Sequence, residues 1–337
     1  MTIHHMQRRT TLLIGALLLS VPALALAQSV PRKVRIGILF GDAPMPHEEV
    51  ALREGLRELG YVEGRNLTIE RRYAEGRVQL VPGYARELAS MNLDAVISTC
   101  TPTTRIALQA FGSTPGSTPI VMAAVADPVG QQLISSLAKP GANVTGLASQ
   151  AEDIMPKMLE LFASVLPRPT TVAVLVDSSS AVHPRIWRAM GPIAKRLNIQ
   201  LVKVEAGRKP DDISLAAAFD AAVRQRATGI LVLPDEPFFV AKRGDIVALA
   251  AQHRLPDFYG LREYVDEGGL ISYGESMRTA YRSLATYIGK VATGANPAEM
   301  PVSQPTQFEL VINLKTAKAL GIALPQSILL SAKEVIQ

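Results

Sequence analysis

VRIGILFGDAPMPHEEVALREGLRELG, residues 34–60, is one complete strand-and-helix unit, and its reading decides the fold. Val34 to Phe40 is an apolar run interrupted only by Arg35, as expected of a strand covered on both faces in a parallel sheet. His47 to Leu59 then carries Val50, Leu52, Leu56 and Leu59 near helical spacing, and Gly60 is placed to end that helix. The same alternation continues outward. Strands are predicted over Leu67 to Arg71, Asp94 to Thr99 and Ile120 to Val125. Helices are predicted over Leu80 to Ser90, Thr103 to Phe111 and Gln131 to Ala138.

A second round of the pattern begins at Val172 to Asp177 (VAVLVD). Its helices are predicted over Arg185 to Leu197, Leu215 to Arg226 and Phe239 to His253. Its further strands are Gln200 to Val204, Gly229 to Leu233 and Leu255 to Tyr259. The two series match element for element, so the chain holds a duplicated βαβ-type unit and not a short solenoid repeat. The expected fold class is α/β, with two doubly wound parallel-sheet lobes joined by a three-segment hinge. In such sheets ligands bind beyond the carboxyl ends of the strands, so facing lobes share one cleft. After Gly269 the chain adds a strand-like Leu270 to Tyr273, a helix from Met277 to Val291 and a strand-like Phe308 to Leu314. That surplus places the crossings near Gly146 to Gln150, Gly268 to Glu275 and Gln304 to Phe308. The lobes expected are then residues 28–147 plus about 275–305, and 148–274 plus about 306–337.

Composition agrees with a large core built from aliphatic side chains: 48% of residues are apolar, but only 5% are aromatic. The formal charge is +5, of which Arg8 and Arg9 contribute two, and no basic cluster follows, so no nucleic-acid partner is expected. Arg8-Arg9, the apolar run Thr11 to Leu26 and the small-x-small triplet Ala25-Leu26-Ala27 read as an export signal over residues 1–27, cleaved near Ala27. No Cys follows that triplet, so the expected product is free in the periplasm and not lipidated. The single Cys, Cys100, lies in an apolar strand and reads as a core residue.

Candidate ligand contacts come from the strand ends. Thr101 and Thr103 stand at the strand-to-helix turn TCTPTT, where free amide hydrogens and the helix dipole favour a carboxylate; either Thr could instead only cap its own helix. Asp127 ends the next strand, to accept an ammonium or to cap the segment after it. Asp177 and Asp235 end strands in the second lobe, and Glu263, Tyr264 and Tyr273 flank the second crossing. Phe40 could sandwich a flat ligand with Tyr259 or Tyr264, or serve the core. A carboxylate site beside several acids suggests an amino acid or similar zwitterion. His47, His183 and His253 lack metal-ligand spacing, so no metal is expected, and no cofactor. Neither a GxSxG elbow nor a phosphate or dinucleotide glycine loop occurs, so no enzyme is expected.

Five longer stretches carry a resemblance. LREGLRELGYVEGRNLTIERRYAEG (Leu52 to Gly76), ADPVG (Ala126 to Gly130), KPGANVTGL (Lys139 to Leu147), EYVDEGGLISYG (Glu263 to Gly274) and FELVINLKTAKALGI (Phe308 to Ile322) occur in this order. Together they resemble the ABC-transporter substrate-binding family that includes tryptophan- and tyrosine-binding lipoproteins. The resemblance implies a type I periplasmic-binding fold, no catalysis, and delivery to an ABC permease and ATPase at the inner membrane; it does not fix the ligand, for which it favours an aromatic amino acid ahead of a branched or modified one. A monomer is expected. The lipid-attachment Cys of those lipoproteins is missing here. A sensor that reports the ligand to a membrane receptor would use the same closed state and stays open as the alternative.

Overall fold

The computed structural model describes residues 32–337 apart from 115, 169, 208–212 and 235, so the export-signal reading lies outside the described residues. The first part of the chain runs β1 (Val34–Phe40), α1 (Pro46–Glu58), β2 (Leu67–Tyr73), α2 (Val81–Ala89), β3 (Ala95–Thr99), α3 (Thr101–Phe111), β4 (Ile120–Ala126) and β5 (Val144–Ser149). It continues with α4 (Ala151–Ala163), β6 (Thr170–Val176), α5 (His183–Leu197), β7 (Ile199–Glu205), α6 (Leu215–Arg224), β8 (Gly229–Val232), α7 (Pro237–Ala241) and α8 (Arg243–Gln252). Last come β9 (Asp257–Tyr259), α9 (Arg262–Asp266), β10 (Ile271–Gly274), α10 (Met277–Ala292), β11 (Glu309–Asn313), α11 (Leu314–Leu320), α12 (Gln326–Ser331) and β12 (Glu334–Ile336).

These strands form two sheets, in the orders β2-β1-β3-β4-β5 and β12-β11-β10-β9-β8-β6-β7. The first is parallel throughout, from Val34 opposite Leu67 at one edge to Ile120 opposite Val144 at the other. The second is parallel except where β10 meets β11, Ile271 facing Ile312. Each sheet is covered on both faces, which is why its central strands are apolar end to end. In the first, Ile36, Ile38 and Ile97 pack with Leu52, Leu56, Tyr281 and Leu284, while Leu39, Val96 and Met122 pack with Val81, Leu88 and Ala107. In the second, Val172, Val174 and Leu231 pack with Phe162, Ile186 and Met190, while Leu175 and Ile230 pack with Phe219, Phe239 and Ile246. The fold is thus two doubly wound α/β lobes.

Three strands of chain join the lobes. The first leaves β5 and enters α4, which packs on α5. The second leaves β10 and enters α10, which packs on α1. The third runs from Ser303, bridged to Leu147 in the first sheet, to β11 in the second.

Two predicted helices differ. Gln131 to Ala138 forms turns and bends: Gln132 has a left-handed φ of 57°, and the amides of Leu133 and Ile134 both turn back to the Pro128 carbonyl. Phe239 to His253 is split into α7 and α8, because Lys242 (φ −101°, ψ 16°) leaves helical geometry and restarts the chain in a new direction. The sequence reading assigned no strand at β5 and no helix at α4. VTGLAS mixes Gly, Thr and Ser into a short run, and Pro156 argues against a helix whose buried Met155, Met158, Leu159 and Phe162 nonetheless hold it to the core.

Candidate functional site

Between the sheets, at the carboxyl ends of both sets of strands, lies a cavity enclosing about 740 Å³ of empty space, part of it continuous with solvent. The first lobe supplies Asp42 just beyond β1, Thr99 and Cys100 at the end of β3, and Ala123 and Ala124 from β4. The second supplies Glu236 and Pro237 at the start of α7, and Gly260 and Leu261 after β9. The crossing segments add Ser149 to Ala151 and Glu275 with Met277; Tyr281 and Phe308 complete an aromatic side.

Local backbone features shape this wall. The β4–β5 register shifts between Met122 and Val125, around Ala124 at φ 52°. Such a bulge re-aims side chains, and here the residues brought to the wall are two alanines, which leave space. The partner strand accommodates it with Gly146, where a Cβ would lie 2.3 Å from the Met122 carbonyl oxygen. The lobes touch beside the cavity: a Cβ on Gly41 would sit 2.9 Å from Cγ of Pro237 across the seam. Arg185 of α5 reaches over the same boundary, pairing with Asp127 beyond β4 and, at 2.8 Å, with Glu152 of α4.

The wall is acidic. Asp42 is 7% exposed, and burial pushes its carboxyl up to about 6, against its own backbone amide, the Thr99 hydroxyl at 3.4 Å and the more distant charge of Arg243. Burial pushes Glu275 up to about 7. Glu236 is buried and accepts the Phe238 amide at 3.2 Å, closing the start of α7. Among the described residues, no cluster could hold a metal ion, and no helix is long and apolar enough to cross a membrane.

Of the residues singled out from sequence, Asp235 lies outside the described residues, and the other eight stand behind or beside the cavity wall and do not form it. Phe40 is fully buried and edge-on to Tyr281, which does line it, with centroids 5.9 Å apart. Thr101 donates to the Ala126 carbonyl at 3.1 Å, tying the start of α3 to β4, and the Thr103 hydroxyl lies 3.2 Å from Cys100 Sγ within the strand-to-helix turn. Asp127 accepts the Gly130 amide at 3.0 Å besides pairing with Arg185; it closes a turn, since no helix follows.

Asp177 accepts the amide and hydroxyl of Ser179, while its own amide donates to His183 Nδ1 at 2.9 Å. That bond leaves the ring proton on Nε2, which donates to the carbonyl of Pro234, a wall residue, at 3.0 Å. Tyr264 stacks on Tyr259 at 4.3 Å, and Tyr273 packs 5.8 Å from Phe308 of the wall. Glu263 lines a different hollow with Glu48, whose charge adds to burial in raising it to about 7.

The sequence reading missed Asp42, Glu236, Glu275 and Tyr281. The strand-end rule that selected Asp127 and Asp177 applies equally to Asp42, two residues past β1, and to Glu275, one past β10. Tyr281 had no such signal, since it sits one turn into a helix that returns from the other lobe.

Comparison with known proteins agrees with this geometry. A tyrosine-binding protein of Clostridioides difficile (strain R20291) is 26% identical over 275 residues, spanning 80% of this chain and 75% of that protein. A conserved domain protein of Vibrio cholerae superposes with a TM-score of 0.80 at 26% identity, covering 90% of this chain and all of that one. The L-Trp complex of an ABC domain from Streptococcus pneumonia superposes with a TM-score of 0.77 at 26% identity, covering 89% and 100%. The family model for ABC transporter substrate binding proteins matches residues 38–336, nearly the whole described body. The chain therefore belongs to the ABC transporter substrate-binding protein family, whose members bind small-molecule solutes and are not enzymes.

Proposed function

We propose that this protein is the periplasmic solute-binding component of an ABC importer, capturing an amino-acid-sized ligand between its lobes and presenting it to a permease and ATPase. The observation that carries the reading is the interlobe cavity, walled by strand ends of both sheets. Its acids suit a ligand ammonium, and the starts of α3 and α4 at its rim suit a carboxylate. Met45, Ile154, Leu261, Tyr281 and Phe308 suit an apolar or aromatic side chain. An aromatic amino acid is also what the tyrosine-binding relative and the L-Trp complex favour. In this reading the export signal ends near Ala27, the lobes are residues 28–147 with about 275–305 and 148–274 with about 306–337, and the protein acts as a monomer. Phe40, Thr103, Asp177 and Tyr273 position wall residues instead of touching the ligand.

A thermal-shift screen against the twenty amino acids and a set of sugars tests this. A ligand at 100 times its Kd adds about 2.7 kcal/mol, which for a chain of this size is a rise of a few degrees. Stabilisation by a sugar alone, with every amino acid inert, would overturn the amino-acid reading.

A further inference from the structure

We propose that the cavity selects its solute by net positive charge, so that a primary amine without a carboxylate binds more tightly than the matching amino acid. This rests on reading the interlobe cavity as the solute site. Among the described residues three charged side chains line it, and all are acids: Asp42 from the first lobe, Glu236 from the second, and Glu275 from the segment joining β10 to α10. No Lys, Arg or His among the described residues lines it. Arg243, the cation that acts on Asp42, lies outside the wall and is held to Glu267 at 3.3 Å.

Two of these acids, Asp42 and Glu275, are poorly served by the protein itself. Asp42 has a 3.4 Å contact from the Thr99 hydroxyl, long for an O–H···O bond, and no ion pair. Glu275 makes no hydrogen bond or ion pair among the described residues. Carboxylates kept from water without a cation are costly, and burial accordingly raises both groups, to about 6 and about 7.

A ligand cation seated among them removes that cost. The carboxylate of a neutral zwitterion brings a further negative charge to the same wall. Its counterweight is the positive end of a helix such as α4, worth about half an elementary charge and falling off within a turn. The rest of the wall, with Met45, Leu261, Met277, Tyr281 and Phe308, offers apolar contact and no second ionic anchor. Among amino-acid-sized solutes the class favoured is an aryl- or alkylamine, with the matching amino acid as the weaker ligand.

Calorimetric titration at pH 8 with tyramine, L-tyrosine and 3-(4-hydroxyphenyl)propionate tests the inference, because the three share a ring and differ in charge. The expected result is tyramine binding at least ten-fold more tightly than L-tyrosine, with no heat from the propionate. Asp42→Asn and Glu275→Gln should each weaken tyramine at least ten-fold. Tighter binding of L-tyrosine than tyramine, or any binding of the propionate, overturns the inference and leaves the solute-site reading standing. Silence from all three probes also overturns it, and the amino-acid screen then decides the solute-site reading separately.

Discussion

Replacing Gly41 with Ala should weaken ligand binding without unfolding the protein, because its new methyl group enters the seam between the lobes. The added Cβ would lie 2.9 Å from Cγ and 3.1 Å from Cβ of Pro237. Carbon atoms pack best at about 3.5–4.0 Å, so the lobes must part locally by roughly 0.6–1.1 Å. Pro237 is a rigid ring at the first position of α7 and cannot swing aside. Forcing a methyl into a closed contact costs about 1–3 kcal/mol. A form with the lobes parted would lose this contact, so the cost should fall on closure and appear as roughly 5- to 150-fold weaker binding. The same methyl would lie 2.8 Å from Thr103 Oγ1 within its own lobe, a clash that a rotamer change of Thr103 relieves at small cost to the melting temperature.

Titration with whichever of L-tyrosine, L-tryptophan or tyramine binds the wild type reads the loss. Small-angle scattering of the saturated protein reads the incomplete closure. The double variant Gly41→Ala/Pro237→Gly, which removes both atoms struck, should recover most of the affinity. Wild-type affinity in Gly41→Ala, or no recovery in the double variant, would refute the seam.

Two further predictions concern charge. Asp42 and Asp257 stand at about 6, and Glu263 and Glu275 at about 7, all raised chiefly by burial above unfolded values of 3.8 and 4.5. The folded, ligand-free protein therefore holds protons that the unfolded chain has lost, so its stability should rise as pH falls from about 7 toward about 4.5. Melting scans across that range check the sign; a flat or opposite slope would mean these carboxyls are not buried as described. Arg185→Ala removes the pairs to Asp127 and Glu152, all three side chains being partly exposed, so each pair is worth about 0.2–1 kcal/mol. Binding should weaken by a few-fold, more at low salt than at high. Equal loss at every ionic strength would mean that the arginine acts through packing instead.

What could be read from the sequence was whatever depends on local pattern. VRIGILF matches β1 residue for residue, because a strand covered on both faces needs only an unbroken apolar run, and Gly229 to Leu233 shows itself in the same way. The β10-to-α10 return was legible because a Gly pair precedes a strand-like run and then a helical one. The failures came where tertiary contacts set the conformation. The turns after Asp127 are held by Pro128, Gly130 and Arg185, the last of these 58 residues along the chain from Asp127, so an amphipathic stretch was mistaken for a helix.

The site was legible to within a few residues. Reading strand ends led to Thr101, Asp127 and Tyr273, while the wall is made by Cys100, Ala124 and Glu275 close by in sequence. Sequence shows where a strand stops. It does not show that a bulge at Ala124 turns two alanines inward, or that the hydroxyls of Thr101 and Thr103 are already engaged, by the Ala126 carbonyl of β4 and by Cys100.

The central claim, that the solute sits between the lobes at the strand ends, is tested most directly by filling that space. Gly260 lines the cavity, and a Cβ there would meet nothing nearer than Cβ of Pro234 at 3.5 Å, so the fold has room for a side chain. Calorimetric titration of the wild type and Gly260→Phe with the same solute should show one binding site per chain in the first and none in the second, at closely similar ligand-free melting temperatures. Undiminished binding by Gly260→Phe would contradict the account.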